Sequence, residues 1–179
     1  MKILKAMFLL VGVLFLSLVA VGIFKRDFES QVAIEIDAPI SQTFAVYNNP
    51  FMLNRWLTDF KSLEKVSGEL NQVGSQWKLI FDTQNNEEVI LRQTITQFEP
   101  EHIIAFGYDN IWLSGHNITR FEALASDKTQ VTITQNYSGK GIVQNAMLFL
   151  MSHHVNNMNQ QNLKQLKGLI EQSTPETLE

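Results

Sequence analysis

Residues 129–172 read TQVTITQNYSGKGIVQNAMLFLMSHHVNNMNQQNLKQLKGLIEQ, and this stretch decides the fold. Its first part, Thr129–Tyr137, alternates between apolar and polar residues as a half-buried strand does. Its second part, Ile142–Gln172, repeats apolar residues at steps of three and four, as an amphipathic helix does. One long helix with a single apolar stripe, directly after a strand, predicts that the helix packs on one face of a sheet.

The chain upstream of this stretch predicts further strands joined by short turns. Alternating residues and turn signals recur at the spacing of an antiparallel meander, and Gln84–Asn86 resembles a hairpin tip. Together with Thr129–Tyr137 this predicts an α+β fold with a curved antiparallel sheet of about seven strands. The six other predicted strands are Gln31–Asp37, Ser62–Leu70, Gln76–Asp82, Glu88–Phe98, His102–Asp109 and Leu113–Leu124.

Two short helices are predicted between the first and second strands. Ser41 stands where a hydroxyl can cap the first helix, which carries Phe44 and Tyr47. Asn49-Pro50 then breaks that helix, because proline disfavours helical geometry in the residue before it. A second short helix is expected over Met52–Leu57.

The amino-terminal 26 residues differ from the rest of the chain. Ala6–Phe24 holds no charged residue, and as a helix it would be roughly 28 Å long, close to the ~30 Å core of a bilayer. We therefore expect a single membrane-spanning anchor, with a cleaved signal peptide ending near Ala20–Gly22 as the alternative. Basic residues flank both ends, and the free amine favours an amino terminus inside the cytoplasm. The domain would then lie outside it, in the periplasm if the source is bacterial.

Charge and cysteine content exclude several classes of function. The first 26 residues carry four basic side chains and no acid, whereas the rest carries 10 basic and 18 acidic residues. Nucleic-acid binding requires a basic face, so an acidic domain argues against it. The chain has no cysteine, which excludes a disulfide scaffold, thiol chemistry and a cysteine-ligated metal.

The same distribution predicts the domain organisation. We expect an anchor over residues 1–26, a short linker over 27–31, one ligand-binding domain over 32–172, and a tail over 173–179. No Pro- or Gly-rich linker and no repeat divides the domain.

Several short motifs follow one another along the chain: Ile36–Pro39, Thr43–Tyr47, Asn49-Pro50, Arg55-Trp56, Gly68-Glu69, Val73–Ser75 and Thr129–Thr132. In this order they resemble the START-like superfamily of Bet v 1-type and polyketide-cyclase-like (SRPBCC) domains. The likeness covers residues 32–172, with Asn49 in place of the common Asp and the amino-terminal anchor as an addition. It implies a helix-grip fold with a deep cavity for apolar ligands between the sheet and the carboxy-terminal helix. It implies no particular reaction.

Strand parity and this resemblance together predict the lining of the cavity. Flexible methionines suit an apolar pocket, and amide or hydroxyl groups suit a neutral polar atom of a ligand. Ordinary core packing is the alternative for each residue, while Arg92 and Arg120 are expected to face outward. The predicted ligand-binding residues are Trp77, Phe81, Phe106, Tyr108, Asn117, Phe121, Gln135, Tyr137, Met147, Met151, His154 and Met158, with Thr119 as a further polar group.

The sequence contains no recognisable catalytic motif. His154 and Tyr137 are the candidates for an acid or base, and the alternative for His154 is a partly buried, hydrogen-bonded side chain. The four histidines lack the spacing of a metal site, so no metal and no cofactor are expected.

The pattern favours a membrane-anchored binding or carrier domain for a hydrophobic small molecule or lipid. One alternative is a cyclase- or aromatase-type enzyme that uses the same cavity. Another is a module that binds a partner protein across the convex face of the sheet; no feature of the sequence names such a partner.

Overall fold

A computed structural model describes residues 1–82 and 87–172 of the chain. The predicted hairpin tip and the tail at 173–179 lie outside the described residues. A short 3-10 turn, Pro50–Met52, separates the second and third helices. The helices and strands, in chain order, are α1 (Lys2–Phe24), β1 (Phe28–Ile36), α2 (Ile40–Tyr47), α3 (Leu53–Trp56), β2 (Phe60–Ser67), β3 (Gln76–Asp82), β4 (Glu88–Glu99), β5 (Ile103–Asp109), β6 (Leu113–Ala125), β7 (Lys128–Gly139) and α4 (Ile142–Gln172).

The strands form one antiparallel sheet in the order β1-β7-β6-β5-β4-β3-β2. β1 is the exception to a simple meander, since it pairs with the last strand along its whole length, from Phe28 opposite Tyr137 to Ile36 opposite Thr129. The long helix α4 packs chiefly on these two strands. The predicted helix-grip fold, a seven-stranded curved sheet around a carboxy-terminal helix, is confirmed.

Several element boundaries differ from the sequence prediction, and two of them change an expectation given above. β1 begins at Phe28, so most of the predicted linker at 27–31 is strand. The reason is a pairing that sequence alone does not reveal, because Phe28 stacks on Tyr137 with ring centroids 5.7 Å apart. Helix α2 begins at Ile40, with Pro39 in the capping position. Ser41 therefore lies inside the first turn and is not the cap.

The core forms between α4 and the β1–β7 side of the sheet. Apolar side chains of β1 and β7 meet those of α2, α3 and the second half of α4. The helix face that is buried there carries Asn159, Asn162, Leu163, Leu166, Leu169 and Ile170. The fully buried residues of this core include Ile36, Val131, Leu163, Leu166 and Ile170.

The Asn/Gln-rich middle of α4 remains helical because its amides bond to the sheet and to the segment after α3. Asn159 donates through Nδ2 to Ser30 Oγ at 3.1 Å and to Gln135 Oε1 at 2.7 Å. Asn162 Oδ1 accepts the backbone N–H of Thr58 at 3.0 Å and its hydroxyl at 2.7 Å. These polar groups hold α4 in register on the sheet, since each buried amide has a specific partner.

Helix α1 leaves most of its surface exposed and touches the domain only near its carboxyl end. Residues 18–22 are partly or fully buried, where α1 packs on the start of α4. Asn145 joins the parts, donating to the carbonyl of Gly22 at 3.3 Å and accepting the N–H of Gly139 at 2.8 Å. By length and composition α1 is able to cross a membrane, a property that amino-terminal signal sequences share.

Candidate functional site

A row of paired residues crosses the sheet on the face that carries α4. Trp77 on β3 is linked through Gln93 to Tyr108 on β5, then through Gly115 to Tyr137 on β7 and to Phe28 on β1. Directly opposed residues in antiparallel strands point to the same face. Because Phe28 and Tyr137 are buried on the core side, Trp77 and Tyr108 face that side too. We call Trp77, Tyr108, Tyr137 and Phe28 the aromatic row.

Gly115 provides the space that lets this row close up. A Cβ atom at Gly115 would lie 2.8 Å from the Tyr108 hydroxyl and would also clash with the backbone carbonyl of Asn136. The Tyr108 side chain therefore lies across Gly115, toward Tyr137. The Tyr137 ring in turn stacks on Phe28 at an interplanar angle of 18°. The absence of a side chain at this one position is what brings the two tyrosines together.

Two polar atoms of the aromatic row are buried without a hydrogen-bond partner among the described residues. They are the indole N–H of Trp77 and the hydroxyl of Tyr137; the same holds for Thr43 Oγ1, Trp56 Nε1 and Ser75 Oγ elsewhere. An unsatisfied buried donor costs about 1–3 kcal/mol, so a ligand atom that accepts a hydrogen bond would recover that energy. The row thus offers two donors within an aromatic surface.

Burial sets the protonation state of these tyrosines. It raises the pKa of Tyr137 above its usual range. Burial also raises the pKa of Tyr108, with the neighbouring Tyr137 as a second cause. Both phenols are therefore protonated at neutral pH and act as hydrogen-bond donors. Because the raised pKa leaves almost no phenolate at neutral pH, neither tyrosine is available there as a base.

A second polar group lies deeper, between α2 and β6. Thr119 Oγ1 donates to Asn117 Oδ1 at 3.2 Å. The Thr119 hydroxyl has one hydrogen, so at its 2.7 Å contact with the Tyr47 hydroxyl it is Tyr47 that donates. Burial raises the pKa of Tyr47 to about 12, and the bond to Thr119 partly offsets this. Phe121 packs edge-on against Phe44 and Tyr47, at 5.3 and 5.1 Å, and belongs to the core.

The predicted ligand-binding residues thus fall into three groups: a half-buried group on the sheet, a buried or hydrogen-bonded group, and the residues of α4. Trp77, Phe81, Phe106 and Tyr108 are half-buried on the face of the sheet that α4 leaves largely open, and Arg92 and Arg120 are exposed as predicted. The buried or hydrogen-bonded group comprises Asn117, Thr119, Phe121, Gln135 and Tyr137.

The predicted residues on α4, Met147, Met151, His154 and Met158, form what we call the methionine stripe. The structure differs most from the prediction here. Met147, Met151 and His154 are exposed, and Met158 is half-buried. The prediction that this stripe packs on the sheet is wrong for Met147 and Met151, because the part of α4 that is buried against the sheet is its second half, from Asn159 to Ile170. At about 100° per residue, the stripe lies 120–180° around the helix from Ile142, the residue that touches α1.

A half-open depression of about 350 Å³ lies at the end of the sheet nearest α1. Of the predicted residues, Tyr108 and Tyr137 border it. Sequence reasoning missed Phe28, although the alternation of Phe28, Ser30 and Val32 continues the period-two pattern of β1 and was a usable signal. The remaining lining residues are Asp27, Thr94, Gly107, Asp109, Ser114, Gly115, His116, Asn136 and Ser138.

Metal ligation finds no support in residues 1–82 and 87–172, where no three His, Asp or Glu side chains come together as a metal site would need. The two candidate acid or base residues also lie in different environments. Tyr137 is buried, whereas His154 is exposed on α4.

Comparison with protein families gives a match over residues 27–171, to the family described as polyketide cyclase/dehydrase and lipid transport. The chain belongs to this family. The match covers the whole sheet and nearly all of α4, and it confirms the resemblance seen in the short motifs. The apolar helix α1 lies outside the region that matches this family.

Solved structures agree with the family fold. A conserved protein from Geobacillus kaustophilus aligns with a TM-score of 0.68 at 14% identity, over 82% of this chain and 97% of its own. The Zhui aromatase/cyclase from Streptomyces sp. R1128 aligns with a TM-score of 0.66 at 14% identity, over 82% of this chain and 94% of its own. Ara h 8.0201 aligns with a TM-score of 0.63 at 14% identity, over 82% of this chain and 99% of its own. At such low identities, the likeness to these structures shows the fold alone. No curated protein matches the sequence of this chain.

Proposed function

We propose that the chain is a membrane-anchored binding or carrier protein for a hydrophobic small molecule or lipid. The observation that carries this proposal is the pair of unpartnered donors, Trp77 Nε1 and Tyr137 Oη, within the aromatic row. An apolar ligand with one hydrogen-bond-accepting group, such as a carbonyl, hydroxyl or carboxyl oxygen, would satisfy one of these donors. The family, whose description includes lipid transport, supports the same class of ligand.

The apolar part of such a ligand would lie along the open side of the sheet. Trp77, Phe81 and Phe106 are half-buried there. Phe81 is held by an edge-on contact with Phe60, with ring centroids 6.0 Å apart. Half-buried aromatic surface that a ligand would cover is a favourable place for an acyl chain or ring system, at about 25 cal/mol per Å² of apolar area.

The helix α1 supports the membrane part of the proposal. It has 23 residues and no acidic residue, and its most apolar 18-residue stretch has a mean hydropathy of 2.8. Spanning a bilayer, it would keep the domain close to a membrane-dissolved ligand and raise the effective concentration of that ligand. Two basic side chains flank each end of it, and the free amine at the amino end favours an amino terminus inside the cytoplasm and a domain outside it.

The test compares two tyrosine variants in the full chain, purified in detergent and titrated with a fluorescent fatty acid. Tyr137→Phe removes one donor of the aromatic row and should weaken binding roughly 2- to 10-fold, as expected for one hydrogen bond. Tyr47→Phe is the matched control. It removes the bond to Thr119 and should lower stability by about 1 kcal/mol while binding is unchanged.

Two results would contradict the proposal. One is a full chain that emerges empty in native mass spectrometry and takes up neither fatty acids nor extracted lipids. The other is a Tyr137→Phe variant that binds as tightly as the original chain, which would remove the aromatic row from the site.

A cyclase or aromatase is the second candidate function, and the proximity of Tyr108 and Tyr137 is the observation that favours it. A protonated phenol is able to donate a proton to a carbonyl oxygen during ring closure. In this case Tyr137→Phe should lower kcat for a poly-carbonyl substrate, whereas His154→Ala should not, because His154 is exposed. Loss of turnover in His154→Ala with the fold intact would instead assign the chemistry to the helix.

A further inference from the structure

Large apolar side chains are exposed at the end of the sheet where α1 meets the domain. In the turn between β5 and β6, Ile111 is 82% and Trp112 50% exposed. In the first turns of α4, Val143 is 64% exposed, and Ile142 and Leu150 are exposed as well. We call Ile111, Trp112, Ile142, Val143 and Leu150 the junction surface. Exposed apolar side chains gathered at one site mark an interaction surface.

The parts of the junction surface are linked to one another and to α1. The N–H of Lys140, two residues before α4, donates to the carbonyl of Trp112 at 2.9 Å. A Cβ atom at Gly22 would clash with the carbonyl of Ile142, so α1 and α4 are in backbone contact there. The β5–β6 turn, the start of α4 and the end of α1 therefore form one continuous surface.

The charge pattern of this surface matches a bilayer. No Asp, Glu, Lys or Arg occurs from Gly141 to Leu163. The basic residues Lys25 and Arg26 follow α1 at the same end of the molecule and are exposed. Tryptophan beside aliphatic residues, with cations at the rim, is the arrangement that proteins use at the membrane–water interface.

We propose that the junction surface inserts into the same membrane that α1 crosses, and this inference depends on the membrane anchoring proposed above. The partner is a lipid bilayer, because the surface is continuous with the apolar helix α1. The aromatic row lies at this same end of the sheet, since Tyr108 and Tyr137 are close in sequence to the β5–β6 turn and to Lys140. Docking therefore brings the ligand site to the membrane surface, where an apolar ligand enters without crossing water.

The test measures the depth of single labels in the full chain reconstituted into phosphatidylcholine–phosphatidylglycerol vesicles. The chain has no cysteine of its own, so Ile111→Cys and Val143→Cys each carry one nitroxide. Leu124→Cys is the matched control. Leu124 is likewise exposed, at 44%, and lies near the far end of β6, roughly 36 Å from the turn. Leu14→Cys, in the middle of α1, reports on the anchor.

Relative accessibility to oxygen and to a water-soluble nickel chelate gives the depth of each label. We expect the oxygen-to-nickel ratio at positions 111 and 143 to exceed that at 124 several-fold and to approach that at 14. Ratios at 111 and 143 equal to that at 124, with a deep label at 14, would overturn the inference and leave the anchor intact. Protection from both reagents would also overturn it, because the surface would then contact protein. A water-exposed label at 14 would overturn the anchor itself.

Discussion

At the scale of single residues, three tyrosines, two buried and one half-buried, link stability to pH. Burial raises the pKa of Tyr47 to about 12 and also raises the pKa of Tyr108 and Tyr137. In the unfolded chain the same phenols titrate near pH 10. The folded state therefore holds more protons than the unfolded state above pH 10, and its stability falls as the pH rises.

We expect the free energy of unfolding to be independent of these tyrosines below about pH 9 and to fall between pH 10 and 12. For Tyr47 alone the loss is up to about 3 kcal/mol over that range. Urea unfolding at several pH values measures it, and Tyr47→Phe should flatten the fall. The same slope in Tyr47→Phe and the original chain would contradict the assignment.

Strand alternation correctly placed Trp77, Tyr108 and Tyr137 on one face, because a period of two leaves only two choices for each residue. Whether their polar atoms have hydrogen-bond partners could not be predicted from the sequence. It depends on which strands are neighbours and on the space at Gly115, both of which are set by distant parts of the chain.

At the scale of elements, α4 shows why an apolar stripe can mislead. The regular methionines at 147, 151 and 158 suggested the buried face, yet Met147 and Met151 are exposed, and the second half of the helix is buried, where Asn159 and Asn162 lie beside leucines. A buried amide is stable when each of its groups is bonded, and the partners Ser30, Gln135 and Thr58 lie far away in sequence. Periodicity of hydrophobicity cannot detect a buried face built on such bonds.

The contact between α1 and α4 gives a prediction at the same scale. Gly22→Ala places a methyl group against the carbonyl of Ile142, whereas nothing lies within 4 Å of a Cβ atom at Gly12. Overpacking of about 1–3 kcal/mol should speed hydrogen exchange in the first turns of α4 roughly 5- to 150-fold. Mass spectrometry of the peptide covering residues 142–151 measures it.

Gly12→Ala is the control for helix propensity, since both variants replace a helical glycine by a better helix former. It should leave exchange in α4 unchanged. Equal exchange in the two variants would mean that α1 does not pack on α4 in solution.

At the scale of the whole molecule, the anchor and the domain should unfold separately. Apart from the contact at residues 18–22, α1 is exposed, and in a micelle its backbone hydrogen bonds are all internal. On heating in detergent, we expect the near-ultraviolet circular dichroism to disappear in one transition while the far-ultraviolet signal of about 23 helical residues remains. Complete loss of both signals together would contradict this.

The overall architecture was predictable because it follows from the order of strands and helices and from short motifs at their ends. The contact of α1 with the domain was not, because an apolar run of membrane-spanning length gives no sign of a neighbour. The buried contact there depends on Gly22 and Asn145, which are ordinary residues in the sequence.

With α1 spanning a membrane as proposed, the position of Asn145 would make membrane thickness relevant to the proposed ligand site. The apolar run Ala6–Phe24 is roughly 28 Å long as a helix, close to the ~30 Å hydrocarbon core, so a thinner bilayer would tilt the helix. The Asn145 side chain donates a hydrogen bond to the carbonyl of Gly22 and accepts one from the N–H of Gly139. Gly139 is two residues from Tyr137 on β7. For the proposed membrane-spanning α1, a change in its tilt would thus be passed by one amide to the strand that carries the Tyr137 donor.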